Sequence, residues 1–388
     1  MPRFEDSAQR ITTPMYAAHD TALLARAREI QTQSIAVWGT RKVTTIIGRH
    51  TRIEETLERA ARLAKADAPT LLTGETGTGK ELFARALYLL SPRRGRQFVS
   101  VNCAQYQDSQ LIASELFGHK RGSFTGAVAD HRGVFESAEG GVVFLDEIAE
   151  LSISAQSMLL RAISESEIVP VGDTKPRSVN VRIIAATSRD LNSMVRDGSF
   201  RADLYFRLRC LHLDIPPVRE RDRDWELIAV DHLHRLGVSS SLHKTFSCEA
   251  LACLATHSWP GNVREIKSVV DTAFYLCDST VIDSAAFAHE IESAARVSEM
   301  LRIPLRSESH SNAWDLMMSG ASFWSVVHQP FLRRELSRAE ARAVIDRGLT
   351  RSRGSYKRLL PLFGIAEHEY LKFMDFLRHQ KLKPDVRA

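Results

Sequence analysis

Apolar positions follow two periods along this chain. Leu23, Leu24, Ala27, Ile30, Ser34, Val37 and Trp38 fall near helical spacing, which predicts one amphipathic helix over 18–38 within a short leader, 1–42. From 43 to about 214 the pattern changes. Thr70–Thr73, Gln97–Val101, Val142–Leu145 and Val181–Ala186 read as short apolar strands, each followed by a helical stretch. That alternation predicts an α/β domain, a parallel sheet with helices on both faces. After Ile215, Pro216 and Pro217 the strands stop, and the pattern is helical over 215–298, as in a smaller helical lid. Residues 299–312, with Pro304 among serines, read as a linker. The last segment, 313–388, is helical again and basic near its middle, with nine Lys/Arg against three acids between Phe331 and Arg358.

Composition removes several classes. The chain has 388 residues, 44% hydrophobic and 26% charged, so it is long enough for two or three domains and too apolar to be disordered. No apolar run approaches the roughly 18 residues of a membrane span. Met1–Arg10 carries acids instead of a basic start, so membrane and secreted proteins find no support. Five cysteines without a paired CxxC argue against a disulfide framework or a four-ligand zinc site. Reduced, mostly buried thiols in a cytoplasmic protein are expected instead. The net charge, 52 − 47 = +5, permits contact with nucleic acid without demanding it.

The chemistry begins where the strand Thr70–Thr73 runs into Gly74, Glu75, Thr76, Gly77, Thr78, Gly79, Lys80 and Glu81, and a helical stretch follows. This is GxxxxGK in its required strand–loop–helix setting. Glycines let backbone N–H groups turn inward around phosphate oxygens, the helix N-terminus adds partial positive charge, and Lys80 reaches the outer phosphates. Glu81 stands where Ser or Thr commonly holds Mg²⁺, so the metal must rely on other ligands. A second apolar strand ends in Asp146 and Glu147, at the sheet edge that carries the phosphate loop. Asp146 suits the metal and Glu147 suits a base for the attacking water, which makes the site one for hydrolysis and not only binding. Arg201 and Arg207 flank a bulky apolar cluster. They read either as surface arginines or as fingers supplied to a neighbouring subunit's γ-phosphate. Arg264 lies on the first turns of a helix opened by the turn at Trp259, from which it could reach bound nucleotide.

With these motifs in view, the sequence resembles the bacterial enhancer-binding proteins, the AAA+ activators of sigma-54 RNA polymerase. The matching runs are GETGTGKE (74–81), VNCA (101–104), SELFGHKRGSFTGA (114–127), GGVVFLDEI (140–148), RIIAATSRDL (182–191), FRADLYFRL (200–208), PPVRERDRD (216–224) and WPGNVREI (259–266). The most specific is Gly122, Ser123, Phe124, Thr125, Gly126 and Ala127, close to the GAFTGA loop of that family. The resemblance implies the AAA+ P-loop fold and a hexameric homo-oligomeric ring in which ATP hydrolysis with Mg²⁺ drives this loop against sigma-54. It further implies that Gly74–Glu81 hold phosphates, that Asp146 and Glu147 coordinate Mg²⁺ and activate water, and that Asn102 holds the glutamate in one nucleotide state. Arg201 and Arg207 become trans fingers, Arg264 the second sensor, and Ile47 and Gly48 neighbours of the adenine. Two departures stand out: Ser123 for the usual Ala, and Ser188 for the usual Asn of the first sensor. On physics alone, Phe124 between Gly122 and Gly126 is either an exposed contact residue or one folded back onto its own domain.

Family members end in a Fis-like helix-turn-helix, and Arg353–Ile365 followed by Ala366–His379 has that outline. Pro361 inside the first helix and aromatics at 370, 373 and 376 leave protein packing open beside DNA binding. No receiver or ligand-binding pattern is visible, which suggests control by a partner protein or by expression level. The functions in competition are a sigma-54 activator, a DNA- and nucleotide-binding regulator that does not remodel sigma-54, and an AAA+ protein unfoldase or chelatase. The intact Phe124–Thr125 pair favours the first.

Overall fold

The computed structural model describes residues 23–106, 109–287 and, within 314–382, all but 315, 319, 333–337, 353, 354 and 381. The chain divides into two compact units, Met1–Glu292 and Ser293–Ala388. The linker expected at 299–312 lies outside the described residues, as do 18–22 of the expected first helix.

The first unit opens on α1 (Ala25–Trp38) and α2 (Thr51–Ala64). Ala27 and Ile30 of α1 are buried with Ile53, Leu57 and Ala60 of α2, and Trp38 stacks on Tyr88 at 5.5 Å. The helix read as a leader is thus packed into the α/β core. Then follow β1 (Thr70–Thr73), α3 (Lys80–Leu89), β2 (Phe98–Asn102), α4 (Ser109–Phe117), α5 (Val134–Ser137), β3 (Val142–Asp146) and α6 (Ile153–Ser164). After the short antiparallel pair β4 (Glu167–Ile168) and β5 (Arg177–Ser178) come β6 (Arg182–Thr187), α7 (Leu191–Arg196), α8 (Ala202–Leu208) and β7 (Leu211–Asp214).

The main sheet has the order β2-β3-β6-β1-β7, with every pairing parallel. Parallel neighbours need a crossover, and the helices supply it on both faces. The two-residue period of a strand sorts the apolar side chains. Leu71, Val143, Leu145, Ile183 and Ala185 face α4, α6 and α8, while Leu72, Val142, Phe144, Ile184 and Ala186 face α1, α2 and α3. A sheet buried on both faces explains why its strands read as continuous apolar runs.

The lid consists of α9 (Asp224–Ser240), α10 (Cys248–Ala255) and α11 (Asn262–Leu276), with β8 (Thr245–Phe246) paired in parallel to β9 (Val281–Ile282). Its core holds Trp225, Ile228, Trp259, Ile266 and Phe274. The expectation that strands end at Ile215 therefore needs correction. Two-residue strands carry no alternation to read. β7 is a further strand that the apolar pattern does not predict: in Leu-His-Leu-Asp only the two leucines are apolar, and Asp214 is exposed. The cysteines are free as expected, yet only Cys103 is buried, and Cys210 and Cys248 are exposed.

The second unit has its own core of Trp314, Phe323, Phe363, Phe373 and neighbours. Helices at Tyr356–Leu362, with Pro361 next to its last residue, and Tyr370–His379 flank a turn at Gly364, whose φ is +59°. Phe373 is fully buried and Tyr370 and Phe376 pack beside it, so these aromatics serve the core. The outward face of the last helix carries Leu371, Lys372, Asp375 and Arg378. No helix among the described residues is long and apolar enough to cross a membrane.

Candidate nucleotide site

The phosphate loop joins β1 to α3, and Gly79 caps that helix at φ +97°, a conformation that favours glycine. Lys80 opens α3 and is buried. Its Nζ donates to the carbonyls of Gly74 at 2.9 Å and Glu75 at 3.2 Å, and lies 3.8 Å from Glu147 Oε1. Burial pushes the lysine below its ordinary pKa, and the charges of Glu147 and Asp146 oppose that. Asp146 ends β3 beside Asn102 of β2, and burial followed by the Glu147 charge raises its carboxyl. Glu81 is engaged by Arg85 one turn on, at 2.6 Å.

Glu147 has φ +49°, an uncommon setting for a residue with a side chain. Its carboxylate accepts from Ser188 N at 3.1 Å and from Ser188 Oγ at 3.1 Å to each oxygen. The resemblance implies that Asn102 holds this carboxylate in one nucleotide state. Asn102 Oδ1 instead accepts from Ala104 N at 3.0 Å, capping the turn that follows β2.

The lid reaches the loop at several points that sequence reading left without roles. Asn262, fully buried, donates to Glu75 Oε2 and the Thr76 carbonyl, both at 3.1 Å, and accepts from Val218 N at 2.8 Å. Val263 N donates to the Gly77 carbonyl at 3.0 Å. A Cβ on Gly77 would stand 2.2 Å from Gly261 O and 3.2 Å from Arg264 Cβ, so only glycine allows this approach, and Arg264 lies against the loop. Arg221, buried and pushed down to about 10 by that burial, donates to the Pro216 and Thr78 carbonyls. Asp224 accepts from Arg49 N at 2.7 Å and His50 N at 3.2 Å, and burial raises its carboxyl. Gly48 touches Asp224, while Ile47 packs on the lid core. In the sequence Arg221 and Asp224 sit in a charged run after two prolines, with no local spacing that assigns them a partner. A cleft of about 350 Å³ adjoins the loop, lined by Thr73, Glu75, Ser188, Arg209 and His212 among others.

Two groups of expected residues lie apart from this hydrogen-bond network. Arg201 is held by Asp203 at 3.0 and 2.7 Å and by Ser157 Oγ at 3.2 Å, whereas Arg207 is exposed and makes no ion pair among the described residues. The loop Gly122–Ala127 closes on itself: Gly122 N donates to Ala127 O at 2.8 Å and Ala127 N to Phe124 O at 3.0 Å. Gly122 and Gly126 take φ +79° and +104°. Phe124 is half-buried, edge-on to His119 at 5.0 Å, and Thr125 is exposed. So Phe124 is folded back, not free.

Residues 46–214 match the Sigma-54 interaction domain, and 219–302 match the AAA+ ATPase lid domain. The chain thus carries a stretch similar to the Sigma-54 interaction domain followed by one similar to an AAA+ ATPase lid. The nitric oxide reductase transcription regulator NorR1 of Cupriavidus necator is 40% identical over 328 residues, covering 82% of this chain and 61% of that protein. NorR2 of the same organism is 48% identical over 232 residues, 59% of this chain and 44% of that protein. The chain thus spans 61% or less of either curated relative. Among solved structures, NtrX from Brucella abortus in complex with ATP aligns with a TM-score of 0.60 at 25% identity, covering 87% of this chain and 70% of that one. The family's fold is the one described above, a P-loop parallel sheet with a helical lid.

Proposed function

We propose that this protein is a sigma-54-dependent transcriptional regulator that hydrolyses ATP to remodel sigma-54 RNA polymerase holoenzyme and open promoters. The observation that carries this reading is one folded unit holding both a hydrolytic constellation, Lys80 with Asp146 and Glu147, and the loop Gly122–Ala127. Lys80 and the N-terminus of α3 would bind the β- and γ-phosphates. A buried amine facing two adjacent carboxylates fits a magnesium nucleotide: Asp146 would hold Mg²⁺, whose charge offsets that of the phosphates. Among the described residues no third metal-ligating side chain joins them, so phosphate oxygens and water would complete the shell. Glu147 would take a proton from water as its oxygen attacks the γ-phosphorus and ADP departs.

Arg207, and Arg201 once freed from Asp203, would act on a neighbour's nucleotide in a homo-oligomeric ring, hexameric in this reading. Ile47, Gly48 and Arg264 would flank the nucleotide from the lid side. Residues 313–388 would bring the ring to DNA, in the cytoplasm, under control of a regulatory partner protein. Transcription in vitro from a sigma-54 promoter, with sigma-54 holoenzyme and ATP, tests the proposal. Open complexes that appear only with this protein and hydrolysable ATP are expected. ATP hydrolysis without open complexes would leave the chain a regulator that binds DNA and nucleotide but does not remodel sigma-54.

A further inference from the structure

Ser34 is the polar member of the apolar stripe on α1, and it is fully buried. A buried hydroxyl needs hydrogen-bond partners. Its Oγ donates to the Gln31 carbonyl at 2.7 Å and accepts from Thr44 N at 3.0 Å. The second bond anchors the segment 43–50, which lies between α1 and α2. Burial alternates along it: Thr44, Ile46 and Gly48 are buried, while Thr45 and Ile47 are half-buried. A period of two sends neighbouring side chains to opposite sides. Ile46 enters the core that holds Ala27 and Ile30 of α1, whereas Ile47 packs on the lid core. Gly48 also pairs with Leu23, just before α1, in an isolated parallel bridge. The far end of the segment is held by the lid, because Arg49 N and His50 N donate to Asp224, the first residue of α9. Asp224 N in turn donates to the Arg221 carbonyl at 3.0 Å. The Arg221 side chain then reaches the Thr78 carbonyl of the phosphate loop at 3.2 Å. One continuous run of bonds and packed side chains thus leads from α1 to the phosphate loop.

We propose that α1 is an integral part of the nucleotide site: docked on α2, it holds segment 43–50 against the lid and so sets the affinity for nucleotide. This rests on the nucleotide reading of the site. The segment is gripped on two sides, by α1 through Ser34 and Ile46, and by the lid through Ile47 and Asp224. Releasing the α1 side lengthens the free backbone that Asp224 must order, and ordering free backbone costs entropy. The lid then spends less time in the arrangement that Arg221 and Asn262 stabilise against the phosphate loop. Lys80, Asp146 and Glu147 are not members of this run, so the cost falls on binding and not on the chemical step. The coupling is read at the far end of the segment, at amides bonded to the lid and not to α1.

The docking of α1 on α2 can be disturbed away from the site. Arg26 of α1 donates to both oxygens of Glu58 on α2, at 3.0 and 2.9 Å, and also pairs with Glu29. In the full-length protein, Arg26→Glu sets like charges against each other and should loosen α1. Hydrogen exchange at the Thr44, Arg49 and His50 amides should quicken, and the Kd for magnesium ADP should rise. Each change should be about three- to fivefold, the strong end of the range for an exposed ion pair. The melting temperature should stay within a few degrees of wild type. Reversing the pair, Arg26→Glu together with Glu58→Arg, should restore both exchange and affinity. Ser34→Ala, which removes the acceptor of Thr44 N itself, should act in the same direction on the same amides. Arg49 and His50 amides that exchange at the wild-type rate in both Arg26→Glu and Ser34→Ala overturn the proposal. So does an unchanged Kd beside faster exchange, or a reversed pair that restores neither. A wild-type protein that binds no magnesium ADP overturns the nucleotide reading instead, a result distinct from these.

Discussion

Arg219 donates to both oxygens of Glu75, at 2.7 and 2.6 Å, and this fork ties the first turn of the lid to the phosphate loop. Asn262 reaches the same carboxylate from α11, so one loop residue carries two lid contacts. Arg219 holds the Glu75 carboxyl below its ordinary 4.5. A depressed acid contributes stability at neutral pH that is lost as the pH falls below that value.

Replacing Arg219 with Ala should therefore loosen the lid more than it unfolds the protein. Both partners are near half exposed, and such pairs contribute about 1 kcal/mol or less. The expected outcome is a several-fold higher KM for ATP, a melting temperature within a few degrees of wild type, and little change in kcat.

Asp224 is a different case, because it is buried and accepts two backbone N–H groups of the 49–50 turn. Asp224→Ala strands both donors and should cost about 2–4 kcal/mol in denaturant unfolding. Asp224→Asn keeps an acceptor and should fall within about 1 kcal/mol of wild type. The raised native pKa sets the sign with pH. The folded state holds the proton more tightly, so stability falls as the pH climbs from the ordinary carboxylate value, 3.8, through the native one. The Asn variant should lack that slope.

How much of this was legible depended on whether neighbours in sequence or neighbours in space decide the role. Lys80, Asp146 and Glu147 announce themselves, because a glycine loop after a strand and a strand ending in two acids are local patterns. The central strands did too, since burial on both faces writes a continuous apolar run. The edge strand β7 is half polar, and two-residue strands in the lid leave no period at all. Which polar group takes the Glu147 carboxylate in this structure, Ser188 and not Asn102, follows from the pairing of β3 with β6, a relation in space that no local pattern records. Arg219, Arg221 and Asp224 lie in the run PPVRERDRD, whose spacing gives them no role; the folded lid places Arg219 and Arg221 against the phosphate loop and Asp224 against the 49–50 turn.

Arg207 is exposed and makes no ion pair among the described residues, while Arg201 is occupied by Asp203 and Ser157. If these arginines serve a neighbour's site, specific ATPase rate should rise with protein concentration. Arg207→Ala should bind ATP normally and turn it over at least tenfold more slowly. Arg201→Ala should lose less, because its side chain must first leave Asp203. A concentration-independent rate from a monomer seen in sedimentation would rule out both as fingers.

The second compact unit begins at Ser293, and its core is built from its own aromatics. Deleting 313–388 should leave ATPase activity intact and abolish promoter-specific action. Gel shifts of the full-length protein and the truncated one, across salt concentrations, separate the two roles: only the full chain should shift DNA, with affinity falling steeply as salt rises. Equal binding by both would move the DNA contact to the first unit.

Thr125 offers the sharpest separation of chemistry from output. It is exposed at the tip of a loop whose backbone hydrogen bonds all stay local, and none of them reaches Lys80, Asp146 or Glu147. Removing its hydroxyl and methyl leaves no buried group unpaired, so the fold should hold to within about 0.5 kcal/mol. ATP turnover should likewise remain near wild type. Phe124 behaves differently, since its ring rests edge-on against His119 and must leave that contact to meet a partner. An aromatic pair of this kind is worth about 0.5–1.5 kcal/mol, small enough for a nucleotide cycle to break. Thr125→Ala should therefore hydrolyse ATP, fail to hold sigma-54 in the presence of a transition-state analogue, and open no promoters. Loss of ATPase and fold together would make the loop structural, and full activation by Thr125→Ala would remove the loop from sigma-54 contact altogether.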